Sequence, residues 1–258
     1  MKKYILDLRV VALERKSDKH VLLRLTHEKT LPTILPGQFV EVRVDGSSST
    51  FLRRPISVHN VDRENNELWL LVALVGDGTR QLATLRPGDT LNCVLPLGHG
   101  FTMPTRQGQR FLLVGGGVGV APLLYFGRQI REAGAEPVFL LGARTAGDLL
   151  QLDEFEATGK VYITTEDGSM GEKGFVTNHS ILHGGHFDMI STCGPKPMMV
   201  NVARYAHKAQ IPCEVSLENK MACGVGACLC CVEKTLGGNR CVCKDGPVFN
   251  IRELTWEV

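Results

Sequence analysis

The chain has 258 residues, 43% of them hydrophobic, and carries 29 Lys plus Arg against 27 Asp plus Glu, a net charge of +2. That length supplies a core for one or two domains with an appendage, and the near-neutral balance gives no sign of nucleic-acid or anionic-membrane binding. No apolar run is long enough to span a membrane, and Met1-Lys2-Lys3-Tyr4 lacks the apolar core of a signal peptide; nine cysteines, an odd count with a metal-type cluster among them, point to the reducing cytoplasm.

The first hundred residues read as β-structure. Short apolar, β-branched runs at 4–12, 20–25, 38–44, 56–60, 67–75 and 90–95 are separated by turn signals such as Pro36-Gly37, Asp45-Gly46 and Pro87-Gly88. Six strands at this spacing predict a small antiparallel six-stranded β-barrel, with one short helix over 79–85. Two places carry chemistry. Arg53-Arg54-Pro55-Ile56-Ser57 puts a fixed cation, a φ-locked proline and a hydroxyl at a strand start, and a guanidinium fork suits phosphate. Gly78-Thr79 opens the short helix, whose free N–H groups would favour a pyrophosphate. Each signal alone also fits solvated charge or an ordinary turn.

After Pro96-Leu97-Gly98 the periodicity changes. Strands at 111–114, 137–142, 161–165 and 189–192 alternate with helices at 123–133, 148–158 and 176–182. Such alternation predicts a parallel-sheet α/β domain with its ligand site at the strands' carboxyl ends. Residues 115–122, Gly-Gly-Gly-Val-Gly-Val-Ala-Pro, have the strand–glycine–helix setting of phosphate binding, although Val120 stands where the standard fingerprint has its third glycine. With Cys193-Gly194-Pro195 ending a later strand, a pyridine-nucleotide site is expected around Gly115, Gly117, Gly119, Cys193, Gly194 and Pro195. His179, His183 and His186, in a glycine-containing loop without a nearby carboxylate, are expected at the surface.

Six of the nine cysteines fall between 223 and 243, too dense for core packing. Cys223, Cys228 and Cys231 have the C-x4-C-x2-C spacing of a plant-type 2Fe–2S loop. Gly224 and Gly226 allow the tight turns such a loop needs. Cys243 is the expected fourth ligand and Cys241 its competitor; Cys230 is surplus. Zinc would prefer paired C-x2-C knuckles. A disulfide framework suits short secreted chains rather than this one, and the odd cysteine count agrees with a reducing compartment.

The order of these parts resembles the ferredoxin-reductase superfamily. More closely, residues 221–231 and 243–249 resemble the electron-transfer subunits of NAD-dependent (class 1B) dihydroorotate dehydrogenases. The resemblance spans essentially the whole chain and implies three parts: an FAD barrel (1–103), an NAD-binding α/β domain (104–211) and a 2Fe–2S segment (212–258). It assigns Arg54, Pro55, Ile56 and Ser57 to FAD, with Leu71, Val72 and Ala73 touching it and Gly78 and Thr79 at its phosphates. Ile56 stands where the wider superfamily has an aromatic residue. Cys223, Cys228, Cys231 and Cys243 match the cluster ligands.

The function implied is a relay. FAD exchanges a hydride with NAD(H) and passes electrons singly to the cluster, so the chain itself needs no acid–base pair. In the family the partner is an FMN-containing catalytic subunit that oxidises dihydroorotate to orotate in pyrimidine biosynthesis, in a heterotetramer of two of each. Residues 224–229, small and apolar, are the expected docking surface. The alternatives are a similar subunit of a ferredoxin-dependent transhydrogenase or hydrogenase, and a zinc-stapled nucleotide-binding regulator.

Overall fold

The structure, a computed structural model, describes residues 2–257. It contains two compact units that interleave along the chain. The first comprises Met1–Gly100, Asn219–Glu233 and Arg240–Pro247, and the second comprises Phe101–Glu218, Lys234–Asn239 and Val248–Val258.

In the first unit, strands β1 (Tyr4–Ser17), β2 (His20–Thr26), β3 (Phe39–Val42), β4 (Arg54–Asp62), β5 (Glu67–Ala73) and β6 (Thr90–Leu97) close into a barrel in the order β1-β2-β5-β4-β3-β6. All of its pairings are antiparallel, and closure leaves no exposed sheet edge. Leu8, Val10, Leu23, Leu25, Val40, Val42, Val58, Leu70 and Val72 are buried at 0% exposure and fill it. Helix α1 (Asp77–Leu82) follows β5, starting two residues earlier than the sequence suggests.

The second unit is built on β7 (Arg110–Gly116), α2 (Ala121–Glu132), β8 (Glu136–Ala143), α3 (Leu152–Thr158), β9 (Lys160–Thr165), β10 (Glu172–Lys173), α4 (Ile181–Gly184), β11 (Met189–Cys193), α5 (Lys196–Lys208) and β12 (Cys213–Ser216). Its sheet order is β10-β9-β8-β7-β11-β12-β15, where β15 is Val248–Asn250. The pairings are parallel except that β15 runs antiparallel to β12. The chain leaves β7 toward β8 and β9, then returns to the other side of β7 with β11. The crevice beyond the carboxyl ends of β7 and β11 is therefore the topological switch point, where open α/β sheets bind ligands. A hairpin of β13 (Val232–Thr235) and β14 (Gly238–Cys241) leads into the short helix α6 (Val242–Asp245).

Several expected elements differ in extent. The 148–158 helix begins only at Leu152, because Gln151 sits at φ 55°, a left-handed conformation that interrupts a right-handed helix. The 176–182 helix splits into a 3-10 turn and α4, because His179 is extended (φ −64°, ψ 136°). His179 is buried at 5% exposure, correcting the expectation of a surface residue, whereas His183 and His186 are exposed. Its ring meets Tyr162 edge-on at 5.3 Å and accepts the Ile181 N–H, and burial holds its pKa below the usual histidine value. Helix α5 and strands β12 and β15 are additional to the predicted elements. Met199, Val202, Ala203 and Ala206 form the buried stripe of α5.

Candidate functional site

The cysteine loop has the conformation its glycines permit. Gly224 (φ 65°), Gly226 (φ 81°) and Leu229 (φ 60°) are left-handed, and this winding turns successive backbone N–H groups inward. The Cys223 sulfur accepts from Ala227 (3.3 Å), Cys228 (3.4 Å) and Val225 (3.5 Å). Burial pushes the Cys223 thiol up, but these N–H donors outweigh it and bring its pKa down to about 6. A set of inward N–H groups around thiolates fits an anionic iron–sulfur group.

The two late cysteines meet the loop differently. Gly226 donates to the Cys243 sulfur at 3.1 Å, and the Cys243 amide donates to the Cys231 sulfur at 3.3 Å. The Cys243 thiol, pushed up to about 12 by burial and then by Cys231, is buried with Cys231. Cys241 differs, because its sulfur faces the Gly226 carbonyl oxygen at 3.9 Å and its amide is tied to Asp245 at 2.8 Å. Cys230 is exposed, as are Val225 (40%) and Leu229 (65%). Among the described residues, no group of three or more His, Cys, Asp or Glu converges as a single metal ion would require.

On the barrel, residues 54–57 are four successive half-buried positions at the start of β4, ahead of the buried Val58, His59 and Asn60. They form a shelf a flat ligand could cover. Arg54 lies across Gly78, where an added Cβ would sit 3.0 Å from the Arg54 Nε and 3.0 Å from Thr50 Cγ2. The two expected phosphate contacts are thus neighbours, and only glycine leaves room between them. The Thr79 hydroxyl donates to the Gly76 carbonyl and accepts the Gly76 N–H, holding the helix start closed. The first-turn amides have no intrahelical acceptor. Leu71 and Val72, on opposite faces of the strand, are both buried, at 2% and 0% exposure, so this strand offers a ligand its backbone and Ala73 rather than those side chains. Arg53 is engaged elsewhere, donating to the Glu41 carbonyl (3.2 Å), the Asn92 carbonyl (3.1 Å) and the Asn92 side chain.

At the switch point of the second unit, Gly115 pairs with Cys193. An added Cβ on Gly119 would lie 2.4 Å from Gly194 Cα, and one on Gly116 would lie 2.6 Å from the Met198 sulfur. The glycine turn and the 193–195 turn therefore close on each other backbone to backbone. Gly117, at φ 56° with open space around it, faces outward.

Two residues of these sites escaped sequence reasoning. Glu218 brings a carboxylate oxygen to 3.7 Å from the Cys193 sulfur, and burial raises the pKa of both groups. Its only sequence signal is its place two residues beyond Ser216, the β12 partner of Cys193. Glu41, on β3, is 0% exposed, and among the described residues neither of its carboxylate oxygens has a hydrogen-bond partner. Burial raises its pKa to about 7 despite Arg53.

Two family models match parts of the chain. Residues 113–204 match the oxidoreductase NAD-binding domain family, and residues 218–255 match the iron–sulfur cluster binding domain of dihydroorotate dehydrogenase B. A solved structure described as an NADH-dependent reduced ferredoxin-NADP oxidoreductase superposes with a TM-score of 0.87 at 31% identity, covering 97% of this chain and 90% of that one. A ferredoxin reductase of carbazole 1,9a-dioxygenase shares the fold at a TM-score of 0.67 and 19% identity, covering 82% of this chain and 68% of that one. The chain thus has the architecture of an NAD-binding, ferredoxin-reductase-type oxidoreductase with an iron–sulfur segment, a fold that supports FAD.

The narrower assignment comes from curated relatives. The dihydroorotate dehydrogenase B (NAD(+)) electron transfer subunit of Shouchella clausii is 42% identical over 225 residues, 85% of this chain and 86% of that protein. The one from Bacillus caldolyticus is 38% identical over 249 residues, 92% and 96%. At that identity and coverage, the chain belongs to the family of dihydroorotate dehydrogenase B (NAD(+)) electron transfer subunits.

Proposed function

We propose that this chain relays electrons between a partner subunit that oxidises dihydroorotate to orotate on FMN and NAD+, in the cytoplasm, within a heterotetramer of two of each subunit. The observation that carries the reading is the cysteine loop, whose N–H groups converge on the sulfurs of Cys223 and Cys243. Cys223, Cys228, Cys231 and Cys243 would hold the 2Fe–2S cluster; Cys243 is favoured over Cys241 because the Cys243 sulfur accepts the Gly226 N–H whereas the Cys241 sulfur faces a carbonyl oxygen. Arg54, Pro55, Ile56 and Ser57 would hold FAD with Ala73 and the backbone at Leu71 and Val72. Arg54, Gly78 and Thr79 would take its pyrophosphate. Gly115, Gly117, Gly119, Cys193, Gly194 and Pro195 would take NAD(H). This assigns the barrel (1–103) to FAD, 104–211 to the nucleotide and 212–258 to the cluster.

When bound, FAD converts two-electron hydride chemistry to the single electrons a cluster carries. The chain's own residues bind and orient. The Arg54 guanidinium neutralises phosphate charge beside the helix start, and the glycine turn lets a pyrophosphate approach the backbone. Val225 and Leu229 offer the partner an apolar face beside the cluster. The isolated chain should therefore oxidise NADH with an artificial acceptor yet show no activity on dihydroorotate. Dihydroorotate oxidation by the unaccompanied chain would refute the relay.

The 31% identical solved structure favours one alternative, a ferredoxin-dependent transhydrogenase relay. Co-purification separates the two: an FMN protein acting on dihydroorotate supports the proposal, and a ferredoxin-dependent partner supports the alternative.

A further inference from the structure

Strand β3 buries a carboxyl group where a hydrocarbon would pack at less cost. Its other side chains, Phe39, Val40 and Val42, are buried and apolar, yet Glu41 stands among them with both oxygens unpartnered. A buried polar group without a partner destabilises the fold, more so if it is charged. Nearly all buried polar groups in native proteins find partners, so an exception calls for an explanation. Arg53 does not supply one. Its hydrogen bonds go to the Glu41 backbone carbonyl and to Asn92, not to the carboxylate.

What lies against the carboxyl is the first turn of the cysteine loop. A Cβ added to Gly224 would sit 2.6 Å from Glu41 Cγ and 3.2 Å from its Oε1, with Leu97 Cδ1 at 3.0 Å. No side chain larger than hydrogen fits at 224 while Glu41 keeps its place. On the same strand, Glu41 is paired with Pro55 and Phe39 with Ser57. Strand β3 is therefore laced to residues 54–57 along one edge and covered by the Cys223-Gly224 turn on its outer face. A carboxyl here stands beside both the flavin shelf and the cluster loop.

We propose that Glu41 is a positioning residue for the cluster, its carboxyl gaining a hydrogen-bond partner only when the cluster is seated and thereby setting the seat of the Cys223-Gly224 turn and the cluster's reduction potential. This rests on the reading of the cysteine loop as a 2Fe–2S site. Hydrogen bonding around the sulfurs is one of the levers that set cluster potentials.

The test compares Glu41→Gln and Glu41→Leu in the full chain, purified anaerobically with its cofactors. The measurements are iron and acid-labile sulfide content, electron paramagnetic resonance of the reduced cluster, and a redox titration at one pH. Glu41→Leu is expected to change the g-values and shift the reduction equilibrium at least tenfold, which is 59 mV for one electron. Glu41→Gln, which keeps hydrogen-bonding capacity and shape, is expected to stay within threefold of wild type. Loss of the cluster from Glu41→Leu with circular dichroism and flavin content intact also supports the proposal. If Glu41→Leu does not fold, Glu41→Met is read in its place. An unshifted potential and spectrum in the apolar variant overturns the proposal, as does a Gln variant shifted as far as the Leu variant. Absence of iron and sulfide from the wild type would instead defeat the cluster reading itself.

Discussion

Adjacent arginines at the start of β4 should have separable roles, and replacing each with alanine distinguishes them. Arg54 is half-buried and pre-oriented by its own backbone, donating to the Leu52 carbonyl at 2.9 Å and the Arg53 carbonyl at 3.3 Å. Its guanidinium lies across Gly78, so it meets a pyrophosphate there without losing much side-chain freedom. One charge-assisted hydrogen bond contributes roughly 1.5–3 kcal/mol. Arg54→Ala should then weaken FAD binding about ten- to hundredfold while leaving the barrel's stability nearly unchanged.

Arg53 instead links strands. It joins the Glu41 carbonyl on β3 to the Asn92 carbonyl and side chain on β6, and Asn92 in turn donates to Asp7 on β1 at 2.6 Å. Its removal takes one donor from each of three acceptors, of which the Asn92 carbonyl keeps the Arg43 N–H at 2.9 Å. A loss of roughly 3 kcal/mol is expected, since such bonds are not additive. For a chain of this size that lowers the melting temperature by roughly 6–12 °C. The assays are FAD affinity by flavin fluorescence on the deflavinated chain and thermal unfolding of the same samples. Equal FAD affinities in the two variants, or an Arg54→Ala variant destabilised as much as Arg53→Ala, would refute this reasoning.

Cys243→Ser should lose the cluster while Cys241→Ser and Cys230→Ser retain it, judged by electron paramagnetic resonance of the reduced proteins; retention in Cys243→Ser with loss in Cys241→Ser would reverse the assignment. Gly119→Ala sets a Cβ 2.4 Å from Gly194 Cα, a backbone clash that should cost roughly 1–3 kcal/mol and raise the KM for NADH; an unchanged KM and melting temperature would show that the two turns separate freely. Ala227→Glu, between the exposed Val225 and Leu229, should abolish turnover with the partner while NADH-to-dye activity persists. Full coupled turnover in that variant would place the docking surface elsewhere.

What was readable along the chain was what neighbours in sequence decide. The C-x4-C-x2-C loop closes within nine residues, so its spacing and glycines suffice to specify a turn rich in inward N–H groups. The period-2 runs of the barrel and the strand–glycine–helix order after residue 110 are likewise local, because side-chain alternation and helix periodicity act over a few residues. Tertiary structure decided whatever depends on distant segments meeting. Cys241 and Cys243 differ by two positions and are nearly equivalent as text; only the docking of α6 on the loop turns one sulfur to the Gly226 N–H and the other to its carbonyl. Arg53 and Arg54 are equally adjacent, and strand alternation sends one toward Asn92 and the other over Gly78. Glu218 reaches Cys193 only because β12 aligns beside β11. Glu41 reads as one charge in an apolar strand, and becomes a buried, unpartnered carboxyl because a loop about 180 residues later covers its face of the barrel. Local spacing determines which chemical groups the chain can offer; register and sheet order, the outcome of long-range pairing, determine which of them face each other.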